Sequence, residues 1–298
     1  PYARLVGENA RRGKGDAELE LADTGAFDEG RYLDVFAEYA KASPNDILIR
    51  LTVANRGPEA AAVHLLPTLW FRNHWSWGRT SEEHGPKPSI RADESGQLVA
   101  VHEELGSYVL AIDPPKGVRP ELLFTDNETN SRRLWGAPNS SAHVKDAFHE
   151  YVIAGKTDAL NPEGVGTKAA PHFRLSLGPG QSTAIRLRLA RIDVLPRAPF
   201  KDFDGVFRTR IEEADEFYAD RIPAVLGDEE RNVSRQAYAG LLWSKQFYHY
   251  VVPHWLDGDP AQPAPPEARK EGRNADWPHL YNRDVLSMPD KWEYPWYA

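Results

Sequence analysis

From Tyr32 to about Arg191 the pattern is mostly that of short strand-like apolar runs separated by turns, with the clearest two-residue period at 46–55 and 182–190. That period admits strands and excludes long helices over more than half of the sequence. In the stretch from Asp46 to Asn55, Ile47, Ile49, Leu51 and Val53 alternate with a more polar face, and Asn55-Arg-Gly-Pro58 then turns the chain. A half-buried antiparallel strand is predicted there. Similar runs predict strands at 32–41, 61–71, 97–102, 107–112, 121–125, 144–153 and 171–177. Gly178-Pro-Gly180 predicts a hairpin that feeds the alternating run 182–190. Many short strands with few helices between them make residues 1–198 a β-sandwich. Gly164-Val-Gly-Thr-Lys168 lacks the glycine spacing of a phosphate loop and reads as a mobile loop.

After Pro199 the period changes. Val206, Phe207, Ile211, Ala214, Phe217 and Tyr218 recur at three- and four-residue steps up to Pro223, which predicts an amphipathic helix over 204–221 inside a helical linker, 199–227. A second helix is expected from Asp228, read as its N-cap, to about Tyr250, with Val233, Ala237, Leu241, Ser244 and Phe247 facing inward. Pro253, Pro260, Pro263, Pro265, Pro266 and Pro278 then forbid regular structure, yet Trp255, Trp277, Trp292 and Trp296 lie in the same segment. A loop carrying that many large rings has to pack on something, and long ordered loops are usually functional.

Composition removes several classes of function. The formal net charge of -8 repels a phosphate backbone, and the basic clusters Arg11-Arg-Gly-Lys14 and Arg132-Arg133 are too short to outweigh it, so no nucleic-acid partner is expected. The absence of cysteine removes disulfides, thiolate nucleophiles and Cys-ligated zinc, and fits a cytoplasmic location. No apolar run approaches the roughly 20 residues that span a bilayer, so no membrane partner is expected either. The chain starts at Pro1 and its one methionine is Met288, which reads as a processed or cut N-terminus. His249 and His254 do not make a metal motif, His149-Glu150 lacks a second histidine, and no Gly-x-Ser-x-Gly elbow is present. Neither a metal nor a cofactor is expected.

The rings and acids of the last segment point to carbohydrate chemistry. Asp257, Asp259, Asp284, Asp290 and Glu293 lie among the tryptophans, and rings stacked on the apolar faces of a pyranose with acids between them are what a sugar site needs. Inverting hydrolysis requires two such acids ~6.5 to 9.5 Å apart. The structural alternative is that these acids cap turns or pair with Arg269, Arg273 or Arg283. Trp70-Phe-Arg-Asn-His-Trp-Ser-Trp77 is a second aromatic cluster. It could floor a subsite, with Arg72 and Asn73 reaching hydroxyls, or form a seam between the sandwich and the helical part.

The segments Leu65-Leu-Pro-Thr-Leu-Trp-Phe-Arg-Asn73, Gly240-Leu-Leu-Trp-Ser-Lys-Gln-Phe-Tyr-His-Tyr250, Trp255-Leu-Asp-Gly-Asp-Pro260 and Tyr281-Asn-Arg-Asp-Val-Leu-Ser-Met-Pro-Asp-Lys-Trp-Glu-Tyr-Pro-Trp-Tyr-Ala298 resemble bacterial proteins of glycoside hydrolase family 63, the family of mannosyl-oligosaccharide glucosidase. The resemblance implies an N-terminal β-sandwich followed by an (α/α)6 barrel, of which residues 228–298 are the start. It also implies inverting hydrolysis of α-glucosidic bonds by an Asp acid and a Glu base. Both are expected beyond Ala298, so no residue here takes either role. Trp292, Glu293 and Trp296 match the approach to the acid and are expected to bind substrate, with Trp296 stacking on the sugar. Trp255, Asp257 and Asp259 match the loop after the first barrel helix, with Asp259 on a hydroxyl. The implied partner is an oligosaccharide or small glucoside. The isolated chain is then expected to be inactive and, with apolar barrel faces bare, to self-associate. The competing reading is a non-catalytic carbohydrate-binding or scaffold sandwich using Trp70, Trp75 and Trp77.

Overall fold

The face that each alternating run buries sorts the strands into two antiparallel sheets around one interior. In the computed structural model, which describes residues 2–79 and 85–287, the first compact unit comprises residues 1–72 and 87–207. Its strands are Leu33–Ser43 (β1), Asp46–Asn55 (β2), Ala61–Leu65 (β3), Leu69–Trp70 (β4), Ser89–Ala92 (β5), Leu98–His102 (β6), Gly106–Asp113 (β7), Glu121–Thr125 (β8), Val165–Gly166 (β9), Lys168–Leu177 (β10) and Ser182–Arg191 (β11). The larger sheet runs β1-β2-β11-β7-β6-β5-β9. The smaller one is built on β10, with β8 along one side and β3 and β4 along the other. Leu51, Val53, Ile185 and Leu187 of the larger sheet meet Phe124, Ala169, Phe173 and Leu175 of the smaller in a shared core. The β-rich first unit is therefore as the alternation predicts.

The turn at Gly178-Pro-Gly180 is a correction. It does not close a hairpin, because β10 belongs to the smaller sheet while β11 pairs with β2 and β7 in the larger. Asn55 holds this crossover: its Nδ2 donates to the carbonyls of Leu177 and Glu59, and its backbone N–H donates to Gln181. A turn signal fixes a reversal of direction, but which sheet the next strand joins is decided by long-range partners.

The third to fourth strand is one run with a hole in it. Leu65 pairs with Phe173 and Leu69 with Ala169 in a single continuous register, which places Pro67 opposite Pro171. Phe71 N–H donates to the carbonyl of Thr167 in the same register, and bonded pairs recur every second residue, so Pro67 and Pro171 occupy a bonded position. Neither has an N–H to give, and the ladder opens there.

Three helices belong to this unit: Tyr2–Asn9 (α1), Ser131–Trp135 (α2) and Ala147–Ala154 (α3). The last corrects the strand expected over 144–153. Phe148 and Tyr151, one helical turn apart, pack with Leu123 and Ala170 on the outer face of the smaller sheet, and Gly155 ends the helix in the left-handed conformation. Gly164-Val-Gly-Thr-Lys168 is likewise no mobile loop. Gly166 pairs with Ile90, and a Cβ on it would meet the carbonyl oxygen of Thr125 at 2.1 Å, so the glycine lets two backbones touch. Arg188, 2% exposed, binds Asp46 with both arms of its guanidinium at 2.6 and 2.8 Å and also reaches Asp202 and the Pro199 carbonyl. This buried pair ties the end of the larger sheet to the segment that leaves it.

Helix Phe203–Arg221 (α4) begins in the first unit, where Phe203 and Phe207 pack on Ala40 and Leu48, and continues from Arg208 into the second. The second unit comprises residues 73–86 and 208–298 and holds the helices Asp228–Trp243 (α5) and Val252–Asp257 (α6) and the paired strands Lys245–Val251 (β12) and Tyr281–Ser287 (β13). The second helix thus stops seven residues short of the expected Tyr250. The run Phe247-Tyr-His-Tyr-Val251 is aromatic and β-branched, and it pairs in full with β13 instead of extending a helix. Gly227, not Asp228, is the N-cap, its N–H donating to Glu230. The expected inward stripe is not inward: no residue of α5 is buried, and Val233 and Leu241 are more than half exposed. What holds α5 to α4 is polar and aromatic, with Arg235 bonded to Asp215 at 2.6 Å, its guanidinium 4.7 Å over the Tyr218 ring, and Tyr218 beside Tyr238.

Candidate functional site

Within the second unit, the segment Asn73–Arg79 and the loop after α6 are fastened together by backbone and charge. Ala261 N–H donates to the Trp77 carbonyl, Gln262 Nε2 reaches the Ser76 carbonyl, and Arg79 binds Asp259 at 3.0 Å and the Gly258 carbonyl at 2.8 Å. Gly78 makes the approach possible. Its φ is +72° and a Cβ there would sit 2.7 Å from the Ala261 methyl. Around this clamp stand rings: His74 lies edge-on to Trp75 and Trp77, and Trp77 faces His249 of β12 at 6.4 Å. Tyr250, whose hydroxyl accepts from Asn274 Nδ2, has its phenol pKa raised by burial and by Tyr248.

The expected substrate residues are distributed as follows. Trp255 lies half-buried on α6; the Arg269 guanidinium sits 4.8 Å over its ring and also binds its carbonyl. Asp257 ends α6, exposed, and makes no hydrogen bond or ion pair among the described residues. Asp259, expected on a hydroxyl, spends one oxygen on Arg79, a residue that sequence reading did not single out and that lies 180 positions away. Arg269, one of the three arginines that the structural alternative offers to the loop acids, goes to Trp255. Trp292, Glu293 and Trp296 lie outside the described residues, as does Asp290. The structure therefore brings Asp259 to the aromatic segment 73–79 while leaving Asp257 available. Rings with an exposed carboxylate are equipped to hold a polyhydroxylated ligand rather than to move protons.

A second constellation lies in the first unit, on the outer face of the smaller sheet beneath α3. Glu121 stands directly opposite His172 in the ladder, and His64 opposite Arg174, so that His64 and His172 are diagonal neighbours. His64 Nδ1 and His172 Nε2 are 2.7 Å apart. On the other side of the buried His172 ring, Nδ1 lies 3.7 Å from Glu121 Oε2. Tyr151 of α3 donates to Glu121, and Arg174 binds both Glu121 and the Tyr151 hydroxyl. Burial lowers the His172 pKa, reinforced by His64 and Arg174, whereas the bond to Glu121 raises that of Tyr151. These five residues come from four separate elements, and nothing in the linear sequence marks them as a group.

The same unit has a recess of about 450 Å3 between the β5–β6 turn and the β7–β8 connection, lined by residues that include Glu94, Gln97, Ile112, Arg119 and Leu122. None of the expected site residues lines it. Among the described residues, no group of three or more histidines and acids is arranged to hold a metal ion, and no helix is long and apolar enough to cross a membrane.

No family model matches the chain. It is similar to the uncharacterized protein YMR196W of Saccharomyces cerevisiae, with 37% identity over 336 aligned residues that cover 100% of this chain and 31% of the yeast protein. The chain thus spans about a third of the length of the curated relative it matches.

Proposed function

We propose that this chain is a segment of an inverting α-glucosidase acting on an oligosaccharide or a small glucoside, with its catalytic acid and base outside residues 1–298. In this reading the first unit is the accessory sandwich, and the second contributes the opening of an (α/α)6 barrel. The observation that carries it is the fastening of Ser76, Trp77 and Arg79 to residues 258–262, the loop that directly follows Trp255 and the exposed Asp257 on α6. Two further facts support a larger helical domain: α5 has no buried residue, and the match covers 31% of the yeast relative. Substrate binding falls to Trp255, Asp257, Trp292, Glu293 and Trp296. Asp259 shapes the loop through Arg79 and reaches sugar with its second oxygen.

The test is hydrolysis of α-linked glucosyl disaccharides by the full-length protein, followed by proton NMR of the first glucose released. β-Glucose as the initial product is expected, and Trp296→Ala should raise KM by about tenfold, the loss of one stacking contact of roughly 1.4 kcal/mol. Failure to hydrolyse any α-glucoside, or release of α-glucose first, overturns the reading.

A further inference from the structure

The two histidines on the smaller sheet are placed where the ladder is broken. With Pro67 facing Pro171, the pairs on either side, Leu65 with Phe173 and Leu69 with Ala169, are joined by no bonded pair between them. His172 is the residue next to Pro171, and His64 reaches it diagonally past the Leu65–Phe173 pair, at the edge of the gap. The side-chain bond flanks the place that the backbone leaves open.

Its geometry is that of a hydrogen bond rather than of two ligands aimed at a common ion. The ring centres are 5.0 Å apart and the planes 22° from parallel, while the facing nitrogens are 2.7 Å apart. That leaves little more than the two ring radii, so both nitrogens lie near the line of centres and the rings meet edge to edge. One proton must sit between them, because two lone pairs or two N–H groups cannot face each other at that distance. Glu121 selects the arrangement. Its carboxylate lies on the Nδ1 side of His172, where an N–H is favoured and a lone pair is not, so His172 Nε2 accepts and His64 Nδ1 donates. Arg174 on β10 and Tyr151 on α3 hold Glu121 in place.

Protonation then has two unequal steps. A single added proton leaves the shared bond intact, now charge-assisted. A second has nowhere to go but the lone pair of His172 Nε2, which destroys the bond and puts a positive charge on the buried His172 ring beside a second cation.

We propose that the His64–His172 bond is a proton-operated clasp that holds the strand 61–70 to β10 beside the Pro67–Pro171 gap and releases it when both rings are protonated. The strand it holds ends at Trp70 and leads directly into the aromatic segment 73–79, so acid loosens the chain where that segment departs. Each opening binds one proton, so over the pH range in which the open strand carries the second proton and the closed one does not, every unit of acid multiplies the open population about tenfold.

Amide hydrogen exchange of the full-length protein, corrected for the intrinsic pH dependence of exchange, decides the matter. Amides of residues 63–65 and 69–71 should lose protection by about tenfold per unit as pH falls below about 6, while those of β2 and β11 keep theirs. Substituting His64→Gln, whose amide can still donate to His172, should abolish that difference with the fold retained, since position 64 is exposed. His172→Gln is the second variant. A wild-type strand with no selective loss in acid, or equal acid loss in wild type and His64→Gln, overturns the clasp. So do imidazole nitrogen-15 signals showing two rings that titrate independently.

Discussion

The two units of the molecule treat apolar side chains in opposite ways. In the first, Val53, Ile90, Leu98, Phe173 and Ile185 are completely buried in one core that both sheets build. In the second, the buried hydrophobics among the described residues are Ile222, Val251 and Val252, while Leu241, Leu242 and Trp243 at the end of α5 are more than half exposed, as is Val285 of β13. The helix itself is well formed, capped and salt-bridged. The contrast shows that local propensity suffices to make an element, whereas an interior needs enough elements facing one another. The first unit has them within this chain. The second unit's bare faces fit a protein in which further helices complete it, as the proposed barrel requires.

The sharpest way to break this comparison is to attack the first unit where charge is buried. Arg188→Ala strands Asp46 without its bidentate partner and should cost about 3–5 kcal/mol in urea unfolding; a loss below about 1 kcal/mol would mean that the first unit is no more tightly determined than the second. Gly166→Ala comes next. The added methyl collides with backbone at Thr125, not with a flexible side chain, so β9 must move, and about 1–3 kcal/mol of destabilisation is expected. An unchanged melting curve would show that the short strand is dispensable. The smallest effect belongs to the second unit. Trp243→Ser, at a side chain 82% exposed, should alter the stability of the 298-residue chain by no more than about 0.5 kcal/mol, yet reduce its self-association in light scattering. A large stability loss would reveal a core that the exposed face conceals.

Most of the first unit was legible because its pattern is local. Alternation gives strands at Asp46–Asn55, Glu121–Thr125 and Ser182–Arg191 almost to the residue. Three things escaped for physical reasons. Ala147–Ala154 has an apolar content that fits either period, and only the packing of Phe148 and Tyr151 on the sheet makes it a helix. Lys245–Val251 continues a helical stripe in sequence, but a partner strand whose paired residues lie 30 to 42 positions away claims its backbone. Gly166 looks like loop chemistry until Thr125 is placed against it. The candidate site was partly legible: the ring-and-acid composition around Trp255 and Asp257 is visible in the sequence, whereas Arg79 as the partner of Asp259, and the association of His64 with His172, are products of topology.

The opposed prolines have one more effect. A strand that contains proline forfeits a donor wherever it sits, and two such strands aligned at random would forfeit at two separate places. Setting Pro67 and Pro171 face to face merges both losses into one bonded pair. Sliding either strand by two residues would double the number of interruptions, and sliding by one would turn Phe173 and Leu175 out into water. The imperfection is thus a vernier mark: it penalises every misalignment more heavily than the native one.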